Sequence, residues 1–229
     1  PDLPEPKPGD YTKVYLMDKV GAPQSEIRIG YVSNMTYDAT GEYFKTSLMN
    51  YSLGGAFNSR INLNLREDKG WTYGARSGFS GNDRGSQFTA SAGIKASATD
   101  SAVVEFIKEI KGFQEDGITK DELNFMRNSI GQRDARRYET PFQKAGFLGN
   151  IIRYDLDGSY VEKQAEIIQN ITREEINALA KKYLNTENTY ILVVGDGATN
   201  RDRLKALGYE VIDVTEKGDI IEPIQEGSE

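Results

Sequence analysis

The sequence predicts an α+β domain, a mostly antiparallel sheet with helices packed on one face. Three observations predict it. Short segments of strict apolar alternation stand in the first half, at Glu26 to Val32 and Gln87 to Ile94. The second half is a block of helical stripes, several of them opened by capping patterns. A final apolar run, Tyr190 to Val194, returns to the sheet. Strands first, helices next and a returning strand favour a two-layer sandwich.

The elements follow in order. Pro1 to Pro8 holds four of the seven prolines. Residues 1–10 therefore read as an extended linker or a frayed terminus, with the fold starting near Tyr11. Because the chain begins with Pro1 and not Met, it reads as a processed piece with sequence upstream. Lys13 to Met17 predicts a strand. In the next strand Ile27, Ile29 and Tyr31 face one way, and Glu26, Arg28 and Gly30 the other. Phe44, Leu48 and Tyr51 have helical spacing, and Gly54-Gly55 reads as the C-terminal stop. A second short helix spans Ser59 to about Lys69, with Ile61 and Leu65 on one face. Thr72 to Phe79 and Gln87 to Ile94 form a hairpin across the loop Ser80 to Gly85. Phe88, Ala90, Ala92 and Ile94 make its apolar side, small enough for a helix to pack closely.

Val103, Phe106, Ile107, Ile110 and Phe113 form one helical stripe. Thr119/Glu122, Thr140/Gln143, Ser159/Glu162 and Thr172/Glu175 each have the spacing of a capping box. Tyr190 to Val194 is a core strand, and Tyr209 to Val214 a further one. The domain is expected over 11–215, with 216–229 as an acidic tail.

Composition narrows the chemistry. The 229 residues carry a net charge of −7, which disfavours nucleic acid as a main partner. No run reaches the roughly 18 apolar residues a membrane span needs. The chain has neither Cys nor His. That removes thiolate nucleophiles, disulfides, a Ser–His–Asp triad and an H-x-x-E-H zinc helix.

The remaining candidates are few. The acidic pairs Asp121-Glu122 and Glu174-Glu175 sit in first turns of helices, where they complement the helix dipole. Val194-Gly195-Asp196-Gly197 has no complete phosphate-binding pattern and reads as a tight turn. Arg133, Arg136 and Arg137 suit a helix C-terminus. Arg66 and Tyr73 are different. Arg66 lies near the end of the short helix, Gly70 ends it, and Tyr73 begins the next strand. Both side chains donate hydrogen bonds and stay protonated at neutral pH. Two convergent donors suit a peptide carbonyl or the oxyanion formed from it. Taken alone, the two are more economically a surface arginine and a strand tyrosine.

The segment from Leu53 to Ala75 resembles the pitrilysin/insulinase family of zinc peptidases, specifically the halves that lack the zinc helix. Leu53, Gly54, Gly55, Ser59, Arg60, Leu65, Arg66, Glu67, Gly70 and Tyr73 match the pattern L-G-G-x-x-x-S-R-x-x-x-x-L-R-E-x-x-G-x-x-Y. Pro23 to Tyr31 and the later helices and strand extend the resemblance over roughly Tyr11 to Val214. Trp71 departs from it, where an aliphatic residue is common.

The resemblance implies an inverzincin-like domain without a metal site, inactive by itself and completed by a zinc-bearing homologous half in the same chain or a separate subunit. Arg66 would hold a substrate carbonyl and Tyr73 would donate to the oxyanion as water on the partner's zinc attacks. Asn62, one turn before Arg66, would line the same surface. The implied substrate is a peptide or unfolded protein, and the implied place a bacterial periplasm or envelope. The alternative is a catalytically inactive scaffold domain of a peptidase-like assembly.

Overall fold

The computed structural model describes residues 9–134 and 140–222. The elements run β1 (Lys13–Asp18), β2 (Gln24–Ser33), α1 (Glu42–Asn50), α2 (Arg60–Asn62), β3 (Ala75–Asn82), β4 (Gly85–Lys95), α3 (Thr99–Asp116), α4 (Lys120–Asp134), α5 (Pro141–Tyr154), α6 (Tyr160–Asn170), α7 (Arg173–Tyr183), β5 (Tyr190–Gly195), α8 (Gly197–Lys205) and β6 (Glu210–Asp213). Both α1 and α2 widen into π-helical turns, Tyr51–Gly55 and Leu63–Asp68.

The six strands form one sheet in the order β3-β4-β2-β5-β1-β6. The α+β class stands, but the sheet is mixed. β3/β4, β4/β2 and β2/β5 are antiparallel, while β5/β1 and β1/β6 are parallel. The parallel pairs have a simple cause. β5 and β6 each follow a helix, and a crossover through the helical layer returns the chain in the direction of β1.

Alternation builds the core. Val14, Leu16, Ile27, Ile29, Phe88, Ala90, Ile94, Ile191 and Val193 are buried on the helix-facing side of the sheet. Val103, Phe106, Ile110 and Phe113 of α3 join the same cluster, and Ile107 packs against it. The small side chains of β4 permit this approach.

Several local expectations change. The hairpin is tighter than the loop Ser80 to Gly85, since Asn82 pairs directly with Gly85. The capping boxes at Thr119, Thr140 and Thr172 form. The Ser159 side chain makes no cap; instead Asp157 accepts the Ser159 amide at 2.8 Å. The turn at Gly195-Asp196-Gly197 opens helix α8, with the Asp196 side chain accepting the Thr199 amide at 2.9 Å. Of the arginine cluster, Arg136 and Arg137 lie outside the described residues. Most of the linker and the end of the tail do so too. The near part of the tail folds back on β6, where the Ile221 amide donates to the Asp213 carbonyl at 2.8 Å.

Gly54-Gly55 does not end α1 as a left-handed cap. Gly54 lies in the π turn pressed on β3, and a Cβ there would sit 2.1 Å from Ser77 Oγ and 2.5 Å from the Ser77 nitrogen. Only glycine permits that contact.

β3 is an edge strand, yet its edge is covered. Asn50 Nδ2 donates to the Ser77 carbonyl at 2.8 Å, Tyr43 Oη to the Phe79 carbonyl at 3.3 Å, and the Tyr37 amide to the Asn82 carbonyl at 2.8 Å. The Ala75 amide donates to Asn62 Oδ1 at 2.9 Å. Side chains and the Tyr37 amide thus occupy groups that would otherwise template another strand.

Candidate functional site

The segment from Phe57 to Ala75 carries Arg66 and Tyr73. Ile61 and Leu65 are fully buried and anchor α2 and its π turn to the core. Arg60 holds the other side of the helix. Its Nε and Nη2 donate to the two carboxylate oxygens of Glu122 at 2.6 and 2.7 Å, and Nη2 also donates to the Gly117 carbonyl at 2.8 Å. Its guanidinium lies over the Phe113 ring, 4.6 Å from the ring centre.

The helix stops where the sequence predicts. Gly70 has φ +61°, open to glycine without strain. Its amide donates to the Arg66 carbonyl, and the Trp71 amide to the Leu65 carbonyl. The Trp71 carbonyl then accepts from Lys95 at the end of β4. The turn is therefore tied both to the helix and to the sheet.

Tyr73 sits between two anchors, Trp71 and Ala75. Thr72 Oγ1 accepts the Gly74 amide at 3.1 Å and donates to the Gly74 carbonyl at 2.9 Å. Strand β3 begins at Ala75 and not at Tyr73. Tyr73 is 92% exposed, and its hydroxyl has no hydrogen-bond partner among the described residues.

Arg66 lies in the π turn, as the sequence placed it at the helix end. Its guanidinium stacks over Phe57 at 4.4 Å from the ring centre, and Nη1 lies 3.2 Å from Glu67 Oε1. That pair is close in distance, but Nη1 makes no well-directed hydrogen bond and is shielded from solvent. The planar group is held in place while keeping donor capacity.

Asn62 has a different setting. It is 3% exposed, Nδ2 donates to the Phe57 carbonyl at 2.7 Å, and Oδ1 receives the Ala75 amide. It ties the Phe57 loop to the start of β3. Asn62→Ala is expected to cost about 2 kcal/mol, since two buried backbone groups lose their partners. Urea unfolding and faster exchange of the Ala75 amide would register it; unchanged values would show that the two bonds are dispensable.

Between these parts lies an open cleft of about 470 Å³. Gly54 to Phe57, Gly74 to Arg76 and Ser91 to Gly93 line it, together with Glu26 and Asn62. Phe57 was not marked by the sequence. It is nine residues from Arg66, a spacing without helical or strand period, so its contact with the guanidinium had no cue.

No group of three His, Cys, Asp or Glu residues able to hold a metal occurs among the described residues. No helix among them is long and apolar enough to cross a membrane. The fold is a two-layer α+β domain with the Arg66 and Tyr73 segment at its surface.

Comparison with known proteins agrees. The family model described as the peptidase M16 inactive domain matches residues 1–130, and the chain belongs to this family. A search of curated proteins gave no match. Among solved structures, the chain is similar to a peptidase M16 inactive domain from Pseudomonas fluorescens, with TM-score 0.71 and 23% identity over 86% of this chain and 46% of that one. It is similar to a protease from Helicobacter pylori, with TM-score 0.72 and 15% identity over 83% and 45%. The periplasmic protease PqqL from Escherichia coli gives TM-score 0.66 and 17% identity over 81% of this chain and 20% of that one. The chain spans less than half the length of these structures.

Proposed function

We propose that this domain is the substrate-facing half of a zinc-dependent endopeptidase, completed by a homologous half that bears the metal. Arg66 binds a backbone carbonyl of an extended peptide, and Tyr73 donates a hydrogen bond to the oxyanion that forms at the scissile carbonyl. One observation carries this reading. The segment that matches the family pattern carries two donors, the Arg66 guanidinium stacked on Phe57 and the exposed Tyr73 hydroxyl, and neither makes a directed hydrogen bond among the described residues. Hydrogen-bond donors kept in place before substrate arrives stabilise developing charge without reorganising.

Zinc in the partner half would supply the Lewis acidity for hydrolysis. The residues of this chain bind and orient. Tyr73 acts as a hydrogen-bond donor, not as a base. The similarity to a periplasmic protease supports a periplasmic or envelope location.

The test is hydrolysis of an unstructured fluorogenic peptide by the complete two-half protein, with and without a chelator. Expected is cleavage that stops on chelation and returns with zinc. Cleavage that survives chelation would overturn the zinc assignment. No cleavage of any peptide would favour a scaffold role.

A further inference from the structure

We propose that Phe57 is a positioning residue, whose ring holds the Arg66 guanidinium in the orientation in which it meets the substrate. The proposal rests on the reading of Arg66 above and names the group that keeps that side chain ready.

Arg66 needs such a holder. It is a long side chain with many rotamers, and it stands partly exposed in the π turn at the end of its helix. Glu67 and Phe57 both contact its guanidinium. Glu67 Oε1 lies 3.2 Å from Nη1, but that carboxylate is 54% exposed, makes no directed hydrogen bond with Nη1 and is screened by salt. The Phe57 ring lies against the face of the guanidinium, with Cζ 4.4 Å from the ring centre. An aromatic face attracts the cation and fixes the tilt of its plane, which a lone carboxylate contact does not. It also leaves the N–H groups, which lie in that plane, for other acceptors.

The ring has a fixed base. Phe57 follows the π turn Tyr51–Gly55, and its carbonyl accepts from Asn62 Nδ2 at 2.7 Å. Asn62 is buried, and its Oδ1 accepts the Ala75 amide at 2.9 Å, two residues past Tyr73. The ring beside Arg66 and the backbone that bears Tyr73 are thus tied to one buried amide. Phe57 itself is 64% exposed, so burial gains little from an aromatic ring at this place, whereas the contact with Arg66 uses one.

The complete protein carrying Phe57→Ala, Phe57→Leu or Phe57→Tyr is assayed on the fluorogenic peptide, each variant also in the Arg66→Ala background. Because Phe57 is exposed, urea midpoints should stay near wild type. Expected for Phe57→Ala is a rise in KM of about fivefold or more, with kcat changed by less than about twofold, since the carbonyl contact is made in the ground state too. Phe57→Leu keeps apolar bulk without a π face and should lose as much. Phe57→Tyr should restore KM. In the Arg66→Ala background none of the three should raise KM further, because the ring acts only through Arg66.

A wild-type KM in Phe57→Ala, with Arg66→Ala impaired, would overturn the proposal and leave the parent reading standing. So would equal KM values for Phe57→Leu and Phe57→Tyr, which would make bulk the cause. The same holds for an undiminished loss in the Arg66→Ala background, which would mean that the ring meets the substrate or the partner half itself. If Arg66→Ala leaves turnover unchanged, the parent reading falls and this proposal with it.

Discussion

Arg66→Ala is expected to lower kcat/KM of the complete protein on an extended peptide by about 100-fold or more, in the range for loss of a preorganised charged donor. The guanidinium is held over Phe57 at 4.4 Å and beside Glu67 at 3.2 Å, so little side-chain entropy remains to be lost when substrate arrives. Much of the loss should appear in KM, because a carbonyl contact is made in the ground state as well as the transition state. Arg66→Lys should recover only a small part. An ammonium has no planar face to stack on Phe57 and no fork of fixed donors. Steady-state kinetics on purified variants checks this, with Trp71 emission as the folding control. Full recovery by lysine would show that charge alone matters.

The second large effect is structural. Arg60→Ala should destabilise the domain by about 3 kcal/mol, at the lower end for breaking a buried pair because both side chains keep some exposure. The side chains of Arg60 and Glu122 are 22% and 25% exposed. Without Arg60 the carboxylate is left half-buried, and the Gly117 carbonyl loses a donor. Glu122 also receives the Thr119 amide at 2.8 Å and so caps α4.

The pair has a pH signature. Burial raises the pKa of Glu122, but the Arg60 and Thr119 hydrogen bonds and the arginine charge outweigh it and hold the carboxyl below the usual value of 4.5. A group with a depressed folded pKa contributes stability above its unfolded pKa and loses it as pH falls through the folded one. Wild-type stability should therefore drop as pH falls below 4.5, and Glu122→Gln should drop less steeply over the same range. Urea midpoints across that range, with a double-mutant cycle over Arg60 and Glu122, measure both effects. A coupling near zero would remove the pair from the forces that hold α2, and with it Arg66, in place.

Much of this was legible in the residues, for local reasons. Alternation in β2 and β4 and the α3 stripe depend on nearest neighbours, so the pattern gave the buried face directly. Three capping boxes formed where Thr and Glu or Gln stand three apart, while Ser159 and Glu162 at the same spacing formed none. The α8 helix was missed because it is polar and buries few side chains, Leu204 among them, so it has no stripe to detect. Its Asp196 cap was the one available cue. The parallel pairs were missed because they depend on which way a helix returns the chain.

At the site, the position of Arg66 at the helix end and the Gly70 stop were legible. The stacking of Arg66 on Phe57, the Asn62 clamp and the cleft were not, because each joins residues across a turn with no period between them. Asn62 shows the difference most clearly. Its spacing from Arg66 suggests a shared surface, whereas its burial and its two backbone bonds make it the fastener between the Phe57 loop and β3.

The most direct measurement is single-turnover hydrolysis by the complete protein carrying Tyr73→Phe. The ring is 92% exposed and its hydroxyl has no partner among the described residues, so removing one oxygen leaves the fold alone. If Tyr73 donates to the oxyanion, the chemical step should slow by about 100-fold with peptide affinity nearly unchanged. An unchanged rate for that step would contradict the assignment of this domain to the catalytic surface.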